Sequence, residues 1–397
     1  MNNTFKFLSA TLCVLAVIAA PSCKGGSSKV KAKQVDTLAA PKEAPVITYR
    51  ASTALNDPAR VMAGLPVDTS SSLASWMNNP VWQNYKTGID ADWNKGKATL
   101  NQVDTLVKKD FADITAKAKI AFYPFSGPDF AYVDAFLPDV DTYWLLAMEG
   151  SGSAISEQDV NNNAFGMYRK TLRVLLAATF FRTLDMENDL SNSTIDGAVP
   201  ILEFFMVRKG FNIVEVNHYA LGEDGSMTKA ESGPIAEIKF FKDGQPTRLR
   251  TLYYVSCNVR SNLYTPGISA LLKKHLDKET TAAFVKSSSY CMHQKEYDEI
   301  RNILLDNTFA VIQDDTGVPY RNFIAEAWDV TLYGGYVHPL RLFAEHCYQL
   351  DLLQAYKGEG VKPLPFRLGY NTVSSLMVAR RTPATQVPPA DTTTREK

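Results

Sequence analysis

From Ser70 to Lys119 the apolar positions recur at helical spacing. Leu73, Trp76 and Met77 share one face, Trp82, Tyr85, Ile89 and Trp93 the next, and Leu100, Val103, Leu106 and Val107 carry the rhythm to Phe111 and Ile114. Ser70, Ser71 and Ser72 offer N-caps, and Pro80 breaks the run. The set Trp76, Trp82, Tyr85 and Trp93 has the composition of a sugar-stacking platform. Its helical period instead predicts an aromatic-rich interface between helices.

The period then changes. Residues 120 to 125 read as a strand, and Ser126-Gly127-Pro128-Asp129 as a turn opening a helix, with Pro128 suited to the first helical position. Residues 130 to 136 form a short helix stopped by Pro138, and 142 to 148 a second strand ending in Glu149-Gly150-Ser151-Gly152. Helices are predicted over 160 to 190 and 199 to 209, the latter stopped by Gly210. Residues 211 to 221 alternate as a strand, and 235 to 241 pairs with 248 to 259 in a hairpin around Asp243-Gly244. Helices follow at 267 to 276 and 294 to 306, then a short buried strand at 310 to 313 closed by Asp314-Asp315-Thr316-Gly317. Thr331-Leu332-Tyr333, a Gly334-Gly335 break and a helix near 339 to 355 complete the body. The expected fold is α/β or α+β: one body over 55 to 380, with a mixed sheet flanked by helices and preceded by the helical, aromatic-rich segment at about 70 to 119. A hairpin and crossover-like units are both present, which leaves parallel and antiparallel centres open.

The ends read differently. Lys6, an apolar run from Phe7 to Ala20 and small residues before Cys23 make residues 1 to 22 a signal peptide. The run is too short to span a bilayer comfortably. Residues 23 to 54 are a flexible tether rich in Gly, Ser, Lys, Ala and Pro, and 381 to 397 a Pro- and Thr-rich tail expected to be disordered. The 397-residue chain has 42 basic and 42 acidic residues and is 45% hydrophobic, which rules out global disorder and argues against a nucleic-acid binder. Five cysteines are too few for a disulfide scaffold. Cys257, Cys291 and Cys347 sit among apolar or aromatic neighbours and read as buried free thiols.

Ala20-Pro21-Ser22-Cys23 resembles the lipobox of Bacteroidetes-type envelope lipoproteins. The resemblance implies that Cys23 carries acyl chains such as palmitate, which anchor the chain to a membrane. No acidic run resembling the surface-export signal follows the cysteine, so the expected location is the outer membrane, facing the periplasm. The phrases FYPFSGPDF, YWLLAMEG and QDDTGVPY resemble a family signature of large secreted proteins, with no activity attached. Asp36-Thr37-Leu38 and Asp391-Thr392-Thr393 resemble the O-glycosylation sequon of the same bacteria, making Thr37 and Thr392 candidate modification sites; Asp104-Thr105-Leu106 also matches, but on a helix.

The strongest candidate for chemistry is the stretch from Ile120 to Ser153. Strand, tight turn, helix, strand and then Glu149 is the order in which a nucleotide site places backbone N–H groups on an anion and a carboxylate on ribose hydroxyls. One glycine stands where the fingerprint has three, and Pro128 removes an N–H, so no cofactor is expected. Ser126 lacks the G-x-S-x-G elbow of a nucleophile. His218, His275, His293, His338 and His346 show no zinc spacing, and no metal site is predicted. Asp314 and Asp315 could hold a cation or act as acid and base, yet a turn capped by an Asx side chain explains them. Lys286 and Ser287 to Tyr290 invite a Ser/Lys or Ser/Tyr dyad and are explained by helix capping. The expected function is therefore an envelope binding or interaction protein with a protein or glycan partner. The alternative is a hydrolase or transferase on a glycan or small molecule, its site built from Ser126, Asp129, Glu149, Asp314 and Asp315. That alternative requires the four carboxylates to share the carboxyl edge of one sheet; otherwise each caps its own turn.

Overall fold

The computed structural model describes residues 47–178, 195–343 and 347–382. The expectations at Cys23, Thr37, His346 and Thr392, and at the end of the long helix beyond Ala178, lie outside these residues.

The strands are β1 (Ile120–Pro124), β2 (Thr142–Ala147), β3 (Phe211–Leu221), β4 (Met227–Ala230), β5 (Ile235–Lys242), β6 (Arg250–Ser256), β7 (Thr281–Val285), β8 (Ala310–Gln313), β9 (Trp328–Gly334) and β10 (Ser375–Arg381). They form one mixed sheet in the order β4-β3-β5-β6-β2-β1-β7-β8-β10-β9. The centre β6-β2-β1-β7-β8 is parallel throughout. The wing β5-β3-β4 is antiparallel, as is the β8-β10-β9 edge. Both centres left open by the sequence are thus present, in different parts of one α/β sheet.

Period-two alternation across the central strands sorts side chains into two cores. Ala121 and Tyr123 of β1, Tyr143 and Leu145 of β2, and Ala282 and Phe284 of β7 face one core. Phe122, Trp144, Leu146, Ala283 and Val285 face the other. Helices cover both faces. The first carries α1 (Thr53–Met62), α2 (Pro80–Asp110), α3 (Ala112–Lys117), α4 (Phe130–Phe136), α5 (Asn162–Ala178) and α6 (Val199–Arg208). The second carries α7 (Ile268–His275), α8 (Asp298–Asp306) and α9 (Leu350–Lys357). Burial on both faces explains why the parallel strands are nearly continuous apolar runs.

The aromatic segment is a helix interface, as its period predicts. Tyr85 stacks on Phe165 of α5 with ring centres 4.7 Å apart, and Trp93 meets Phe204 of α6 edge-on at 5.9 Å. The helical run breaks at Pro80 as expected: a 3₁₀ turn over Ala74–Asn78 ends before it and α2 starts on it, because Pro lacks only an N–H that the first turn leaves unused, and Asn79 caps α2 by accepting from Val81 N. Other local details differ from expectation. Pro128 stands outside α4, whose N-cap is Asp129. Of the helix expected near 339 to 355, the described residues hold a 3₁₀ turn at Arg341–Phe343 and α9, with 348 and 349 non-helical between them. Among the described residues no helix is long and apolar enough to cross a membrane.

Candidate functional site

Strand order reverses direction at β1. From β1 the chain crosses to β2, with β6 beyond it, and later returns to β7 on the opposite side of β1. At such a switch point the loops leaving adjacent strands diverge and open a crevice at their carboxyl ends. Here that crevice is a cleft of about 190 Å³, built from the segments that follow β1, β2, β6 and β7.

After β1, Phe125 takes a left-handed φ of 60° and reverses the chain. Ser126 N donates to Leu146 O at 2.8 Å and its hydroxyl to the same oxygen at 3.2 Å, which pins the turn to the end of β2. Asp129 then makes three contacts from a nearly buried position. Its carboxylate accepts from Tyr132 N at 3.3 Å, from the Tyr123 hydroxyl at 3.4 Å and from Lys286 Nζ at 2.6 Å. Lys286 follows β7, and its ammonium also lies 3.8 Å from the centre of the Tyr132 ring. The pair is enclosed, with side-chain exposures of 1% for Lys286 and 3% for Asp129.

The turn after Lys286 is strained. Ser287, Ser289 and Tyr290 all have φ between 53° and 56°, a region that side chains other than glycine rarely adopt. Its surroundings over-determine it. Ser287 N donates to Asp314 Oδ2 at 2.9 Å, and Ser287 O accepts from the Tyr370 hydroxyl at 2.7 Å. Ser288 N donates to Thr316 Oγ1 at 2.8 Å, and Tyr290 donates its hydroxyl proton to Asp315 at 2.5 Å. The exception is Ser287 Oγ, which is buried without a hydrogen-bond partner. Ser287 to Ser289 are therefore not helix caps but form one wall of the cleft, while Tyr290 stands at the N-cap position of the 3₁₀ turn Cys291–His293.

Glu149 follows β2 and lines the cleft beside Ser126 and Asn258. Tyr254 of β6 donates its hydroxyl to Glu149 Oε2 at 3.3 Å and lies 3.1 Å from Glu149 O, which fixes the residue at the edge. Apolar walls come from Phe125, Leu146 and Val259, with Tyr297 edge-on to Phe125 at 5.8 Å. Met148 stands at the rim, 73% exposed.

All four predicted carboxylates follow parallel strands and share the carboxyl edge of the sheet, but they divide between two spaces. Asp129 and Glu149 line the cleft with Ser126. Asp314 lies one layer behind, where it accepts from Ser287 N, Thr316 N and Thr316 Oγ1, the Asx turn expected of it. Burial, then the neighbouring Asp315, pushes its carboxyl up to about 7. Asp315 belongs to a separate void of about 10 Å³, bonded to Tyr290, Asn371 and Ser375 and raised by burial. Burial, then Asp129 and Asp314, pushes the Tyr123 hydroxyl well up, and this phenol lies 3.4 Å from Asp129 Oδ2 and 3.2 Å from Lys286 O. The groups sequence reasoning missed as site members are Tyr123, Asn258, Lys286 and Tyr370. Lys286 was conspicuous beside three serines, but nothing in its spacing tied it to Asp129.

The described histidines lie elsewhere. His218 Nε2 is 2.8 Å from Gly152 O and His338 Nδ1 2.8 Å from Pro339 O. His275 packs on Trp144 at 5.0 Å and is not simply solvated; burial and then Lys274 lower its pKa. Burial, then Arg321, pushes His293 down to about 4. Cys257 and Cys291 are free thiols. Among the described residues no group of three or more His, Cys, Asp or Glu side chains is arranged to hold a metal ion. Comparison with protein-family models, with curated proteins and with solved structures finds no match to this chain.

Proposed function

We propose that the protein is a binding protein for a small hydroxylated ligand, a sugar or nucleoside, held in the cleft at the carboxyl edge of β1, β2, β6 and β7. The observation that carries this reading is Glu149, a carboxylate at the end of the strand beside β1, fixed by Tyr254 and lining a cleft at the switch point. A carboxylate there is placed to accept from two vicinal hydroxyls. Asn258, Ser289 and Tyr370 supply further polar groups, and Phe125 and Val259 an apolar wall. About 190 Å³ is less than the roughly 300–1,000 Å³ of pockets that enclose a drug-sized ligand, which favours a single sugar or nucleoside.

The enzyme alternative has less support. Ser126 spends its hydroxyl on a backbone carbonyl, and the Lys286 ammonium is paired with Asp129 at 2.6 Å. Lipidation of Cys23 and an envelope location remain part of the proposal, supported by the lipobox-like segment. Isothermal titration of the full chain with nucleosides, pentoses and hexoses tests the binding reading. At least one class should bind, and Glu149→Gln should weaken it about tenfold or more. Absence of binding across the panel, or an undiminished Glu149→Gln, would overturn it.

A further inference from the structure

Phosphorylated and unphosphorylated ligands make opposite demands on a strand–turn–helix site. A phosphate wants free backbone N–H groups at the turn, an uncompensated helix N-terminus or a free cation. After β1 the helix start and the ammonium are both already occupied. Pro128 has no N–H at the point where the turn meets α4. Asp129 already occupies the start of α4, its carboxylate accepting from Tyr132 N. The ammonium lining the cleft, Lys286, is bound to that same carboxylate at 2.6 Å. Glu149 adds a further carboxylate to the lining. An incoming phosphate would meet two carboxylates and a cation already neutralised by one of them.

The apolar part of the lining is equally specific. Phe125, Val259 and the exposed Met148 lie in the same cleft as the Glu149 carboxylate. A ligand that satisfies both has vicinal hydroxyls on one side and a flat, weakly polar body on the other. We infer that the cleft selects an unphosphorylated nucleoside over the corresponding nucleotide, an inference that rests on the sugar-binding reading of Glu149 and narrows it. The sugar hydroxyls lie on Glu149, the base lies along Phe125 and Met148, and the 5′ substituent points toward Asp129 and the Ser287 turn.

The test is a charge ladder at the 5′ position, measured by isothermal titration of the full chain at fixed ionic strength. The probes are adenosine, guanosine, cytidine and uridine, the 5′-monophosphate of each, and 5′-amino-5′-deoxyadenosine as the cationic member. At least one nucleoside should bind at least tenfold more tightly than its 5′-monophosphate, and where adenosine binds, the 5′-amino compound should bind at least as well as adenosine. A second measurement uses Asp129→Asn, which releases Lys286 while keeping a side-chain acceptor at the N-cap; the ratio of nucleoside to nucleotide affinity should fall several-fold. Equal or tighter binding of the monophosphates to the unaltered chain would overturn the selectivity. Binding of pentoses or hexoses without any nucleoside would overturn the nucleoside assignment and leave the sugar-binding reading standing. No binding by any probe would overturn both.

Discussion

Asp129→Asn is the most informative perturbation of stability. The substitution changes one charge and nothing of the size or shape of the side chain. Asn is also an effective N-cap, so the bond from Tyr132 N survives and the roughly 1 kcal/mol carried by a cap is retained. What is lost is the partner of Lys286, whose side chain is 1% exposed. Removing one member of a buried ion pair leaves an uncompensated charge and typically costs about 3–5 kcal/mol, far more than the roughly 0–1 kcal/mol of a surface pair. The Tyr132 ring, 3.8 Å from the ammonium, offsets part of this, because cation–π attraction is worth about 2 kcal/mol when desolvated. The expected loss is therefore about 1–3 kcal/mol, read as a shift in the urea midpoint with unchanged slope, using tryptophan fluorescence. Adding Lys286→Met should recover most of it, because an apolar side chain of similar length needs no counter-charge. A loss below about 1 kcal/mol for Asp129→Asn would place the pair in water. Additivity of the two single substitutions would show that they are not coupled, and either result would refute the reasoning.

Three further outcomes are expected. Glu203 of α6 is fully buried, accepts from Ile155 N at 2.9 Å, and is pushed by burial up to about 8. Because the unfolded chain releases this proton near 4.5 and the folded chain holds it to about 8, stability should fall by up to about 1.4 kcal/mol per pH unit across that window; Glu203→Gln should remove this part of the slope, and parallel melting-temperature profiles for the two proteins between pH 5 and 9 would contradict it. Gly369 has φ 72°, and a methyl group there would collide with the Asp314 carboxylate, so Gly369→Ala should cost more than about 1 kcal/mol by urea unfolding and loosen the Ser287 turn that Asp314 holds; an unchanged midpoint would contradict this. Metabolic labelling with a fatty-acid analogue should tag the unaltered chain and not Cys23→Ala; equal labelling of both would end the lipid-anchor proposal.

Local sequence carried the β1 to β2 half of the site and not the β7 half. The stretch 120–149 keeps strand, turn, helix and strand within thirty positions, punctuated by Gly127, Pro128 and Pro138, so Ser126, Asp129 and Glu149 could be named from order alone. β7 is Thr281-Ala282-Ala283-Phe284-Val285, five residues buried on both faces. It therefore shows no alternation, and its alanines have little strand preference. Without that strand Ser287 to Tyr290 had no edge to belong to, and capping was the nearest explanation for a run of serines. β10 was missed for a related reason: Leu376 to Ala379 is a short apolar run following the loop 366–374. The Asp129–Lys286 pair joins positions 157 apart in the chain, a distance no local pattern spans. Pro80 was legible from sequence as a break, and it is also the first residue of the next helix, capped by Asn79.

A crystal structure of the full chain with a bound nucleoside, taken at the ligand concentration that saturates binding in solution, would show where the ligand sits. The account predicts the ligand at the carboxyl edge of β1, β2, β6 and β7, two sugar hydroxyls within hydrogen-bond distance of the Glu149 carboxylate, and the Asp129–Lys286 pair intact beneath it. A saturating ligand seated away from this cleft, or in it with its hydroxyls turned from Glu149, would contradict the account.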